Sequence, residues 1–166
     1  MSPLAIAVLT ISDSRTLDND TSGDLLVERL KGDGHLLAHR QLIPDNVYQI
    51  RATVSNWIAD STTNVVLTTG GTGFTGRDST PEALLPLFDK VIEGFGELFR
   101  QISYKEIDSS TIQSRAVAGI ANATLIFAVP GSTNACATAW DQIPVSYTHL
   151  RAHEPLRYLV CRLLRE

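Results

Sequence analysis

The segment Asn64-Val65-Val66-Leu67-Thr68-Thr69-Gly70-Gly71-Thr72-Gly73-Phe74-Thr75-Gly76-Arg77-Asp78-Ser79-Thr80-Pro81-Glu82 passes from a short apolar run into a polar loop and then into a helix start. Residues 64–69 read as a buried strand, because β-branched side chains suit a pleated, covered surface. The ten residues 70–79 form the loop, and four glycines fall in seven positions, 70–76. Such a loop lets backbone amides approach an anion closely. Thr80 is expected to cap the following helix, with Pro81 in its first turn and Glu82 at its positive end. Arg77 is placed to pair with phosphate oxygens. The plainer reading is a flexible turn between strand and helix, but the loop is long and polar for that.

Two known phosphate loops share its spacing. Gly71-x-x-x-x-Gly76 has the glycines of a P-loop, yet Arg77-Asp78 stands where Lys and Ser or Thr would bind phosphate and magnesium. Gly71-x-Gly73-x-x-Gly76 matches the dinucleotide fingerprint and follows a strand. However, the helix signal comes only at Thr80, and Glu93 and Glu97 lie in a helix-like stretch where a strand-ending acid is expected. A dinucleotide-binding oxidoreductase is the disfavoured reading.

Outward from this segment the pattern repeats. Residues 4–11 are a β-type run, and 22–31 carry Leu25, Leu26 and Leu30 at helical spacing before Gly32 and Gly34. Residues 35–43 are a weaker strand ending at Pro44. Residues 46–60 place Val47, Ile50, Val54, Trp57 and Ile58 on one helix face. The stretch 88–110 is expected to be helical in its second half and broken near Gly94 and Gly96. Residues 124–129 are another buried strand, after which Ser132 caps a helix to about Ile143. Strand, loop and helix in alternation predict an α/β fold, a three-layer sandwich with a mostly parallel central sheet flanked by helices. Ligands bind at the carboxyl ends of such strands, so the loops near 12–23, 44–45, 70–80 and 130–133 are expected to gather into one polar pocket.

Asp78 is informative because a carboxylate in a phosphate loop repels the ligand unless a cation intervenes. Magnesium takes one or two carboxylates together with phosphate oxygens and water. Asp45, at another strand end, is a second candidate, although Pro-Asp-Asn is also an ordinary turn. Ser12, Asp13, Ser14 and Arg15, with Asp20, Thr21, Ser22 and Gly23, read equally as ligand contacts or as a turn and a helix cap. Cys136 reads as packing rather than as a nucleophile. His149 and His153 are four apart, but two ligands without a third are weak. His35 and His39 share a strand face without an identifiable partner.

The net charge of −4 argues against a general nucleic-acid binder. Two cysteines, Cys136 and Cys161, cannot form a disulfide framework, and a reducing compartment is the simplest reading. The first residues lack the features of a secretory leader, and no apolar run is long enough to span a bilayer. A cytoplasmic protein without a membrane or nucleic-acid partner is expected.

The strings Leu-Thr-Ile-Ser-Asp-Ser-Arg (9–15), Asp-Thr-Ser-Gly (20–23), Thr-Thr-Gly-Gly-Thr-Gly (68–73), Arg-Asp-Ser-Thr-Pro-Glu (77–82) and Pro-Gly-Ser-Thr-Asn-Ala (130–135), in this order, resemble the MoaB/MogA family of molybdenum cofactor biosynthesis proteins. Gln-Ile-Arg-Ala (49–52) and Gln-Ser-Arg-Ala-Val-Ala-Gly (113–119) are closer to the MoaB branch. The likeness spans residues 4–143, the expected molybdopterin-binding domain. It implies a molybdopterin-binding fold, a homotrimer or hexamer, and adenylyl transfer from Mg-ATP to molybdopterin with release of pyrophosphate. It implies catalytic, magnesium-binding roles for Asp45 and Asp78. It also implies substrate or nucleotide contacts from Ser12, Asp13, Asp20, Ser22, Gly23, Gly70, Gly71, Thr72, Gly73, Arg77, Thr80, Glu82, Gly131 and Ser132. A non-catalytic molybdopterin-binding protein is the alternative.

The C-terminal 144–166 departs from that family. It is rich in arginine (Arg151, Arg157, Arg162, Arg165) and resembles translated adapter-like tails in environmental sequence assemblies. The expectation is a tail foreign to the gene. The alternative is a basic amphipathic helix that packs Leu156, Leu159, Val160, Leu163 and Leu164 on a partner.

Overall fold

The computed structural model describes residues 3–143, and the expectations for the tail, including His149, His153 and Cys161, lie outside them. The chain runs β1 (Ala5–Ile11), α1 (Thr21–Gly32), β2 (Leu36–Ile43), α2 (Val47–Ala59), β3 (Val65–Thr69), α3 (Thr80–Leu84), β4 (Lys90–Val91), α4 (Glu93–Ile107), β5 (Val117–Ala121), β6 (Thr124–Val129) and α5 (Thr133–Gln142). One sheet has the order β2-β1-β3-β6-β5-β4. The first three pairings, β2-β1, β1-β3 and β3-β6, are parallel. The last two, β6-β5 and β5-β4, are antiparallel.

Alternation along each strand divides the core in two. Ile6 and Val8 of β1, Val65 and Leu67 of β3, and Leu125, Phe127 and Val129 of β6 face α1, α4 and α5. Ala7, Leu9 and Ile11, then Val66, then Ile126 and Ala128 face α2 and α3. With both faces covered, β1, β3 and β6 read as continuous apolar runs, as buried parallel strands do. On α2, Ile50, Val54 and Trp57 recur at helical spacing and are buried; each such side chain contributes roughly 1.5–3 kcal/mol on burial. Trp57 stacks on His39 of β2 at 5.5 Å between ring centroids. On the opposite face, Trp140 of α5 donates its indole N–H to Asp33 at 2.9 Å. The lateral strand β2 is only half-buried, in line with its weaker pattern.

Two expectations need correction. First, α4 is not broken near Gly94 and Gly96; it begins at Glu93 and runs through both. Gly96 is there for packing. A Cβ at that position would lie 2.6 Å from the Ala116 carbonyl oxygen, so only glycine lets α4 approach β5 this closely. Second, the sequence reading lacked β4 and β5. The β5 strand is Val-Ala-Gly-Ile-Ala, in which Ala118, Gly119 and Ala121 have little strand preference. Gly119 has no side chain because the Phe88 ring packs onto it, where a Cβ would lie 2.3 Å from the ring. The β5–β6 hairpin turns at Asn122 and Ala123, both at positive φ (46° and 64°). That is a two-residue primed-type turn without the usual glycine.

Among the described residues, no helix is long and apolar enough to cross a membrane.

Candidate active site at the carboxyl ends of the strands

The parallel strands β1, β3 and β6 end on one edge, and their loops, with residues 107–114, line an open cavity of about 560 Å³. Ser12, Gly70, Gly71, Thr72, Gly73, Asp78, Gly131 and Ser132 line it, so one wall comes from each of the three strand ends. The close packing of these loops follows from glycine. Gly70 has φ +104°, and a Cβ there would lie 2.1 Å from the Ile11 carbonyl oxygen. On its other side, Gly131 approaches the Gly70 Cα, with a built Cβ at 3.2 Å. Glycine at both positions therefore brings the three loops to backbone contact.

The glycine loop is tied at its base. Thr80 donates its hydroxyl to the Gly70 carbonyl at 2.8 Å and its amide to the Gly71 carbonyl at 2.9 Å. The expected cap position shifts by one as a result: Ser79 precedes the helix and Thr80 is its first residue. Asp78 lines the cavity, and its Oδ2 accepts from the Thr75 amide at 2.7 Å and the Thr75 hydroxyl at 2.6 Å. Partial burial pushes the Asp78 carboxyl up. The Thr75 bonds, the Gly73 amide and the charge of Arg115 outweigh it and hold the group below its ordinary range.

Asp45 stands beside this loop rather than in the cavity wall. Its Oδ1 accepts from the Ser79 amide at 3.2 Å and, more closely, from the Ser79 hydroxyl. Its own amide donates to Asp13 at 3.1 Å. Burial raises the Asp45 carboxyl above its usual range. The Ser79 bonds oppose that shift, while the negative charges of Asp78 and Asp13 add to it. Three carboxylates thus share one electrostatic neighbourhood. Arg77 answers part of that charge by pairing with Asp13 at 2.9 Å, its side chain 74% exposed. An exposed pair of this kind is weak and leaves the guanidinium available to an incoming anion.

Other expected contacts lie behind the wall, each for a local reason. Asp20 is fully buried, with its side chain at 0% exposure. It accepts from the Thr10 hydroxyl at 2.6 Å and the Gly23 amide at 3.0 Å, which caps α1. Ser22 donates to the Gly131 carbonyl at 2.8 Å and so links the first loop to the last. Gly23 has no room for a side chain, since a Cβ would lie 2.1 Å from Asp20. Glu82 turns away to pair with Arg115. Ser132 both lines the cavity and caps α5, its Oγ accepting from the Ala135 amide at 3.1 Å.

Cys136 is buried against Thr69, 3.1 Å from its hydroxyl. Burial pushes its thiol up to about 11, which suits packing and not nucleophilic attack.

Two arginines complete the site: Arg15, which the sequence offered equally as a ligand contact or a turn residue, and Arg115, which was not among the expected site residues. Arg15 lines the cavity and donates to Ser22 at 3.0 Å. Arg115, just before β5, reaches the glycine loop. Its Nε donates to the Gly73 carbonyl at 2.8 Å and its Nη2 to the Asp78 carbonyl at 2.7 Å. The reversal of β5 brings it there. A strand antiparallel to β6 starts where β3 and β6 end, with Val117 opposite Ala128. The string 113–119 contains Arg115 but does not signal this contact, which depends on the sheet topology.

The family described as "Probable molybdopterin binding domain" matches residues 7–149. Molybdenum cofactor biosynthesis protein B of Escherichia coli (strain K12) is 56% identical over 141 residues, covering 85% of this chain and 83% of that protein. The protein of the same name in Bacillus subtilis (strain 168) is 42% identical over 137 residues, covering 82% and 81%. A crystal structure of Molybdenum cofactor biosynthesis protein B superposes with a TM-score of 0.87 at 38% identity, covering 99% of this chain and 98% of that one. The tungsten cofactor synthesizing protein MoaB from Pyrococcus furiosus does so with a TM-score of 0.81 at 35% identity, covering 92% and 98%. With the glycine loop, the strand-end cavity and these likenesses together, the chain belongs to the family of molybdenum cofactor biosynthesis proteins that carry the molybdopterin-binding domain.

Proposed function

We propose that this protein transfers the adenylyl group of ATP to the terminal phosphate of molybdopterin and releases pyrophosphate. The observation that carries the reading is the strand-end cavity of about 560 Å³, walled by the glycine loop and Asp78, whose charge Asp45 feels together with that of Asp13. In the reaction a phosphate oxygen of molybdopterin attacks the α-phosphorus of ATP. The bond from the α-phosphorus to the bridging oxygen breaks, and pyrophosphate leaves with that electron pair. The attacking phosphate monoester has a second pKa of about 6 and is already largely ionised at neutral pH. No protein base is needed, and none of the described histidines lines the cavity.

The obstacle is repulsion between anions, and this chain's residues are suited to reduce it. The glycine-loop residues 70–73 and the cation of Arg15 both line the cavity, where fixed dipoles and charge stabilise a developing anion. Arg77 exchanges its weak partner Asp13 for phosphate oxygens. Asp45 and Asp78 form an oxygen-only donor set whose crowded negative charge a cation relieves, which fits magnesium. Among the described residues no three acidic, histidine or cysteine side chains could hold a metal by themselves. Two carboxylates completed by phosphate oxygens and water are the usual magnesium arrangement. Bound there, magnesium neutralises charge on the transferring phosphoryl group and orients it for in-line displacement. The protein is expected to work in the cytoplasm as a homotrimer or hexamer.

A second reading, molybdopterin binding without turnover, has one observation in its favour: Asp45 and Asp78 are both engaged, by Ser79 and Thr75. Pyrophosphate release from Mg-ATP, measured with and without molybdopterin, separates the two. Release that depends on molybdopterin, with an adenylylated product, supports transfer. Binding of molybdopterin by the folded oligomer without release supports the second reading. Asp78→Asn is expected to lower release by about 10²-fold or more, and full activity in that variant would sink the catalytic role of Asp78.

A further inference from the structure

We infer that Arg115 is a positioning residue that clamps the glycine loop and thereby aims Asp78. The inference rests on the proposed adenylyl transfer only for its consequence in rate.

The geometry is specific. One planar guanidinium holds two carbonyls of the same loop, Gly73 through Nε at 2.8 Å and Asp78 through Nη2 at 2.7 Å. The turn between them, residues 74–77, is therefore held at both ends by a single rigid group. The Arg115 amide adds a third tie, to the Thr72 carbonyl at 3.1 Å. The arginine is itself fixed. Its Nη1 pairs with Glu82 at the start of α3, and its guanidinium carbon lies 5.7 Å from the centre of the Phe74 ring. The Asp78 carboxylate takes its direction from the clamped turn, through the Thr75 amide and hydroxyl.

Beyond its tied base, the distal turn of the loop has few restraints besides this clamp. The loop carries Gly70, Gly71, Gly73 and Gly76, and a Cβ at Gly76 would meet nothing within 4 Å. Phe74 is 66% exposed and offers little packing. Freely moving glycines cost conformational entropy on every ordering event. Arg115 removes most of that cost before any ligand arrives. Lysine replaces it only in part, because its ammonium can bond a carbonyl but lacks the planar fork that holds two in fixed geometry.

The test compares wild type, Arg115→Gln and Arg115→Lys in the full chain. Hydrogen exchange of the Thr75 and Asp78 amides is measured without ligand, and pyrophosphate release from Mg-ATP is measured across molybdopterin concentrations. Exchange at both amides is expected to quicken by about tenfold in Arg115→Gln, the equivalent of one lost hydrogen bond. The kcat is expected to fall about 10²-fold with KM nearly unchanged, and Arg115→Lys falls between. A merely structural role would reduce the folded fraction and leave kcat per folded molecule intact. Wild-type exchange in both variants overturns the inference, as does a loss of kcat with loop exchange unchanged. If Arg115→Gln does not fold, Arg115→Lys decides alone, and wild-type exchange and kcat in it overturn the clamp. If the wild type itself releases no pyrophosphate, the adenylyl-transfer reading falls, and the exchange measurement still decides the clamp.

Discussion

The parallel part of the sheet and its reversed edge are built by different rules. In β1, β3 and β6, large apolar residues alternate between two covered faces, and the loop after β1 is held by the buried carboxylate of Asp20. The last two strands of the sheet order, β5 and the two-residue edge strand β4, run antiparallel to their neighbours; β5 is made largely of alanine and glycine and joins β6 through a hairpin whose turn contains Ala123 at φ 64°. The first region supplies most of the buried mass. The second contributes little bulk, yet it delivers Arg115 to the glycine loop. Stability is therefore expected to concentrate in the parallel part, and fine control of the loop at the edge.

Asp20→Ala should be the most damaging change, at about 4 kcal/mol, because it strips a buried carboxylate from Thr10, Gly23 and Arg40. Urea denaturation checks it, and a cost below about 1 kcal/mol, the range of a surface pair, would contradict the division drawn above. Gly70→Ala forces a Cβ toward the Ile11 carbonyl at a φ of +104°. A loss of about 3 kcal/mol is expected, read as a lowered thermal midpoint with weaker ligand binding.

At the edge the effects should be smaller and of mixed sign. Gly96→Ala meets the Ala116 carbonyl and should cost about 1–2 kcal/mol. Gly94→Ala, in the same helix with open space around it, should be neutral or stabilising by up to about 1 kcal/mol. Equal thermal shifts from these two variants would refute the packing role of Gly96. Ala123→Gly relieves a left-handed alanine and should stabilise by about 1 kcal/mol, visible as a raised midpoint with unchanged pyrophosphate release.

Much of this was legible in the chain itself, and unevenly so. The α2 helix, expected over 46–60, spans Val47–Ala59, because its apolar period and its Asn46 cap agree. The strand and glycine loop at 64–79 were legible because Val-Val-Leu and four clustered glycines leave few alternatives. Gly94 and Gly96 misled because a glycine chosen for close packing looks like one that ends a helix. The hairpin hid because its turn is Asn-Ala rather than Asn-Gly, and its first strand lacks bulky residues. Arg115 hid for the same reason. Its place at the loop depends on which way β5 runs, and a strand that is not recognised has no direction. Asp20, Ser22 and Glu82 sit in the right loops, but spacing alone does not tell a side chain facing the cavity from one bracing it.

The two tryptophans, the only ones in the chain, give the layered core an optical consequence. Trp57 lies on α2 and Trp140 on α5, with the sheet between them. Each has a histidine ring for a neighbour, His39 at 5.5 Å and His35 at 6.3 Å. Replacing either one with phenylalanine leaves an emission signal from a single side. Intrinsic fluorescence can then time, without an added dye, whether the two faces of this molecule come apart together or one after the other.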